Sequence, residues 1–311
     1  MDILNWLGAL PGAAAQGIIW GIMAIGVYIT YKILDIADLT VDGSICTGAA
    51  VCTMLITLGV NVWLAMLLAT LAGALCGLLT GVFHTCMGIP AILAGILTQL
   101  ILWSVNLKIM GQANVALSSR KFPVLITSMR VSPSLLILGI FIVVLIALLY
   151  CFFGTELGAS LRATGSNINM SRAQGINVEM IKVLGLALSN AVVALSGALL
   201  AQYQGFSDIS MGRGAIVIGL AAVIIGEAVI SPLIASKLVK KIGIGFAVRL
   251  LGVALGGVIY FFVYQTVVFL GLDTDLLKML SALVVAIFLA VPYWKKKFFS
   301  KPHVKEGSKH A

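Results

Sequence analysis

Long apolar runs separated by short polar links dominate the chain. Residues 43–107, 65 in a row between Asp42 and Lys108, include no Asp, Glu, Lys or Arg, and further charge-free runs cover 3–31, 131–155, 183–207 and 250–272. A membrane-crossing helix takes about 20 mainly apolar residues, so the longest run alone holds three crossings with their turns. The pattern predicts nine spans, within a range of eight to ten, near 14–34, 43–61, 63–83, 89–110, 132–153, 181–203, 214–230, 246–270 and 278–294. The expected fold is all-α: a polytopic transmembrane helix bundle forming one unit over 1–294, followed by a basic tail at 295–311.

Composition removes the competing classes. With 61% hydrophobic residues, 10% charged and a mean hydropathy of +1.13 over 311 residues, a soluble enzyme, a secreted disulfide scaffold and a disordered chain are all excluded. The five cysteines are odd in number and form no Cys-x-x-Cys pair, so they read as small packing residues. Three histidines, two of them in the tail, predict no metal site. Met1-Asp2 lacks the positive start of a cleaved signal, and the first apolar stretch is expected to remain as a span.

Charge sets the expected orientation. The segment from Lys295 to the end holds six lysines against Glu306, which predicts a cytoplasmic carboxyl terminus. Counting back places 14 of the 20 basic residues inside, including Lys32, Arg162, Arg172, Lys182, Lys237, Lys240, Lys241 and Arg249. Lys108, Arg120, Lys121, Arg130, Arg213 and Lys278 fall outside, three of them in an outer loop at 111–131. The tail reads as an anchor beside lipid headgroups, with no nucleic-acid role.

Glycines at four-residue spacing, Gly17/Gly21, Gly73/Gly77/Gly81 and Gly252/Gly256, predict close helix packing where lipid supplies no hydrophobic drive. Acids are expensive at membrane depth, so each is a candidate pathway or helix-end residue: Asp38, Asp42, Asp208 and Glu227. The first three belong to two similar heptapeptides, Asp38-Leu39-Thr40-Val41-Asp42-Gly43-Ser44 and Asp208-Ile209-Ser210-Met211-Gly212-Arg213-Gly214. Both are placed in links near span ends, and five crossings between them put them on opposite sides. They read either as copies in an inverted-topology repeat or as two ordinary helix entries. Glu227 is either a buried functional acid or the interfacial end of a span that stops at Gly226.

The polar link 154–180 is expected inside. Ser166 or Asn167 can cap a helix start, Ile168 to Gln174 can make about two turns, and Gly175 can close it in a left-handed conformation. Met170 and Ala173 would share a face beside Arg172. Such a knob suits docking into a soluble partner or resting on lipid.

Gly158-Ala159-Ser160-Leu161-Arg162-Ala163-Thr164-Gly165-Ser166-Asn167, continuing to Arg172-Ala173-Gln174-Gly175-Ile176-Asn177, resembles the coupling segment of permease subunits in the branched-chain amino acid and ribose class of ABC importers. Asp38 to Ser44, Ala194 to Ala198 and the glycine-rich 211–226 follow the same family in order, over roughly 20–290. Ala201 to Gly212 is most similar to members that take up tryptophan or tyrosine. The resemblance implies a cytoplasmic coupling helix whose Arg162, Gly165, Asn167, Met170, Arg172, Ala173, Gly175 and Asn177 meet a separate ATPase subunit carrying ATP and Mg. It also implies an extracytoplasmic solute-binding protein meeting 111–131 and 204–213, a second permease copy or paralogue, and a place in the bacterial plasma (inner) membrane. No G-x-x-x-x-G-K-[ST] loop and no Ser/His/Asp or Cys/His arrangement is present, so transport is expected, with no cofactor on this chain and no catalysis by it. The expected cargo is an amino acid, aromatic by resemblance. A nucleoside or pentose importer is the alternative within the class. An ion-coupled secondary transporter is the alternative outside it, and would need ionisable residues buried in mid-span.

Overall fold

The computed structural model describes residues 3–234 and 244–269, with isolated helical positions at 279, 283, 286 and 290. Apart from those positions, the expected ninth span and the basic tail lie outside the described residues, as do Lys237, Lys240 and Lys241.

Ten helices are described in these ranges: α1 Ile3–Tyr28, α2 Val41–Thr57, α3 Val62–Thr85, α4 Ala91–Met110, α5 Val131–Phe153, α6 Glu156–Ser166, α7 Ile168–Ala173, α8 Val178–Gln204, α9 Ala215–Ile234 and α10 Gly245–Phe269. Two three-residue strands, β1 Asn114–Ala116 and β2 Phe206–Asp208, pair antiparallel. The first eight expected spans each correspond to one helix, and six of these helices are long and apolar enough to cross a membrane. α2 is not: its 17 residues reach about 25 Å, short of a hydrocarbon core of about 30 Å.

Helix ends follow local chemistry. α4 and α8 stop at Gly111 (φ 69°) and Gly205 (φ 80°), whose N–H groups return to the carbonyls of Leu107 and Ala201. α1 and α8 are the most enclosed long helices and form the centre. α3, α4 and α5 keep Leu71, Leu75, Leu97, Leu100, Ile140 and Leu148 exposed, as faces turned to lipid would be.

The predicted glycine stripes lie at close helix contacts. Gly73 and Gly77 of α3 meet the backbone of Asn190 and Leu186 on α8, and Gly17 and Gly21 of α1 meet Val258 and Ala254 on α10. Any side chain there would push backbone from backbone. The two interfaces correspond: α3 packs on α8 as α10 packs on α1, so α1–α2–α3 and α8–α9–α10 behave as related halves.

Candidate functional site

The α1 helix ends by widening into a π-helical turn, Ile29–Ile33, and the chain reverses at Asp35, whose φ of 56° is left-handed although it carries a side chain. Residues 34–40 then run back into the bundle. Asp38 is 2% exposed and meets Asn190, midway along α8, so it is an interior acid and not one near a span end as expected. The reversal at Asp35 is the physical reason.

Asp38 is held by donors from two elements. Its Oδ1 accepts the Thr40 N–H at 2.9 Å, and its Oδ2 accepts from Asn190 Nδ2 at 2.7 Å. Asn190 Oδ1 accepts the Ser44 hydroxyl at 2.6 Å. The Thr40 and Thr80 hydroxyls stand 2.6 Å apart, and Thr80 donates to Thr98 at 2.9 Å. Four helices, α2, α3, α4 and α8, thus share one buried polar network, in which each bond counts for more than at the surface.

The second heptapeptide makes the same turn: Asp208 Oδ1 accepts the Ser210 N–H at 2.7 Å. The Ser210 hydroxyl beside it, with help from Asn114, holds the Asp208 carboxyl below its ordinary value. A shared turn and matching helix interfaces favour the repeat reading of the two motifs over that of unrelated helix entries.

The two motifs do not face opposite sides. Asp42 Oδ2 accepts the Gly214 N–H and its Oδ1 the Ile216 N–H, each at 3.0 Å, so a residue in the first turn of α2 closes the amino terminus of α9. Cys46 Sγ accepts the Gly212 N–H at 3.1 Å and donates to the Ile209 carbonyl at 3.4 Å. This meeting is open to α2 because it begins inside the bundle, one turn beyond Asp38. Beside it, Gln99, Trp103 and Asn106 of α4 and Arg213 border a small cavity.

Glu227 lies apart from this junction. α9 continues past Gly226 to Ile234, contrary to a stop at that glycine, and Glu227 pairs with Lys32 at 3.0 Å with both side chains partly exposed.

The 154–180 link folds as two helices. Asn167 caps α7 by accepting the Met170 N–H at 3.0 Å and Gly175 (φ 81°) closes it, as the sequence predicts, whereas α6, capped by Thr155, is a second helix that the sequence reading did not name. Asn177 then caps α8 by accepting the Met180 N–H at 3.1 Å. Met170 and Ala173 are exposed, and Arg172 pairs with Glu179. Arg162 turns instead to the end of α5 and donates to the Phe153 carbonyl at 3.1 Å. Gly165 lies directly on Ile33 and Leu34, where any Cβ would strike the Ile33 carbonyl. The α6–α7 elbow therefore rests on the break in α1.

At the opposite end, β1 and β2 join the loops 111–130 and 205–214 in the register Asn114↔Asp208. Leu117 N–H reaches the Gly205 carbonyl at 2.8 Å, and Ile209 N–H the Ala113 carbonyl at 3.0 Å. Sequence reading named both loops and missed their pairing. It also missed Asn190, Asn106 and Trp103, single residues in apolar helices whose only signal was polarity or size in an otherwise aliphatic run.

A family model described as branched-chain amino acid transport system / permease component matches residues 10–291. The chain belongs to this permease family. The permease is 40% identical over 284 residues, 91% of each chain, to the tyrosine transport system permease protein of Clostridioides difficile. It is 32% identical over 288 residues to uncharacterized protein RP368 of Rickettsia prowazekii, covering 91% of this chain and 98% of that one. It is 31% identical over 180 residues to the autoinducer 2 import system permease protein LsrC of Yersinia enterocolitica, covering 55% and 48%. No solved structure matches. The permease is an integral membrane transport subunit of the ABC type, as the coupling segment and heptapeptides imply.

Proposed function

We propose that this permease is the membrane-spanning subunit of an ATP-driven importer of an amino acid, with an aromatic side chain as the best fit. Similarity to a tyrosine transport permease over 91% of the chain supports the cargo class. The observation that carries the mechanism is the capped, exposed α7 tied through Gly165 to the break in α1. A partner ATPase gripping Met170, Arg172 and Ala173 would push on the α6–α7 elbow, and the elbow on Ile33–Leu34. Such a push biases the bundle only if the ATP-bound partner prefers one of its conformations. ATP and Mg belong to that partner. A solute-binding protein would meet the paired loops 111–131 and 204–213, and a second permease copy or a paralogue would complete the path. The carboxyl terminus is cytoplasmic in this reading, with the chain in the bacterial plasma membrane.

An ion-driven carrier is the second reading, and the interior carboxylate of Asp38 is the observation on its side. Its bonds to Thr40 and Asn190 give it a structural task instead. Purification with native partners separates the two. The importer brings down an ATPase whose turnover rises with loaded binding protein, and Arg172→Glu abolishes that rise while the membrane fold persists. Solute carried by the chain alone against an ion gradient would sink the importer.

A further inference from the structure

The cavity at the α2–α9 junction carries unspent chemistry of both signs. Asn106 is 1% exposed, and its Oδ1 has no hydrogen-bond partner among the described residues. A buried acceptor without a donor has given up its hydration with nothing in return, which favours a ligand that brings a donor to it. Arg213 rests on the face of Trp103, 4.9 Å from guanidinium carbon to ring centroid, and joins no ion pair among the described residues. Asp42 faces the same space with its two oxygens held by the Gly214 and Ile216 N–H groups and with lone pairs to spare. The Gln99 amide completes the lining and makes no hydrogen bond among the described residues.

A purely cationic ligand would face Arg213, and a purely anionic one would face Asp42. A zwitterion satisfies both. Its ammonium can donate to Asn106 Oδ1 and Asp42, and its carboxylate can accept from Arg213 and Gln99. The cavity is about 40 Å³, room for roughly three waters. That suits the charged end of an amino acid and leaves the side chain outside. We propose that this cavity is a headgroup subsite for a free α-amino acid, with Asn106 and Arg213 as its specificity-determining residues. The subsite rests on the amino-acid importer reading and deepens it.

The test uses the full-length chain in nanodiscs and, in parallel, the importer reconstituted with its ATPase and binding protein. L-tyrosine at tenfold its Kd should raise the melting temperature by about 2 °C. Tyramine, which lacks the carboxylate, and 3-(4-hydroxyphenyl)propionate, which lacks the ammonium, should give no shift. Asn106→Leu removes an unpartnered buried group, so a purely structural Asn106 would leave the apo chain as stable or more so, with uptake intact. The subsite instead requires loss of the L-tyrosine shift and about a tenfold fall in maximal uptake, with Arg213→Gln doing the same. Equal shifts from all three compounds, no shift with L-tyrosine, or uptake within twofold of wild type in both variants would overturn the subsite. The importer reading stands in those cases provided that the wild-type complex still takes up an amino acid. A wild-type complex that takes up none overturns both.

Discussion

The Asp42 carboxylate sits 3.0 Å from the Ile216 N–H, so the helix that begins at residue 41 supplies the amino-terminal cap of the helix that begins 174 positions later. The cap crosses from one related half of the bundle to the other. It fixes where two short helices start relative to each other.

Removing the cap should loosen that junction. Asp42→Ala is expected to cost about 1–2 kcal/mol, and Asp42→Asn less because one acceptor oxygen remains. Melting of the purified chain in detergent checks the order Ala below Asn below wild type.

Asn190 holds the interior network by donating to Asp38 and accepting from Ser44. Asn190→Ala strips one donor from a buried carboxylate and should destabilise by about 2–4 kcal/mol. Combined with Asp38→Asn it should fall short of additivity by about 1 kcal/mol or more, which a double-mutant cycle on unfolding will read. Simple additivity would mean that the two residues are not coupled.

The contact of Gly165 with Ile33 leaves no room for a methyl group. Gly165→Val should lift the α6–α7 elbow from the break in α1 and abolish stimulation of the partner ATPase by loaded binding protein. Gly175→Ala, strained only by its φ of 81°, should cost about 1 kcal/mol and keep that stimulation. Stimulated ATPase turnover of the two reconstituted variants decides.

Glu227 and Lys32 are a partly exposed pair, for which the expected stabilisation is at most about 1 kcal/mol. Glu227→Gln should leave uptake within twofold of wild type in proteoliposomes. Loss of uptake would instead assign this acid a part in transport.

The helices were legible because aliphatic runs of about 20 residues have one stable outcome in lipid. The α7 half of the elbow was legible because Asn167 and Gly175 act on neighbours within four residues, whereas α6 and its seat on Ile33 were not. The junction was not. Asp38 meets Asn190 across 152 positions and Asp42 meets Ile216 across 174, distances over which hydropathy carries no information. A link of seven residues after an apolar helix also reads alike whether it crosses the end of a bundle or folds back into it, and only the reversal at Asp35 decides.

The β1–β2 ladder ties the segment leaving α4 to the segment between α8 and α9. It is a yoke: a load applied to either loop is shared with the other, so a protein seated on one of them would tug on α4 and on the α8–α9 connection together.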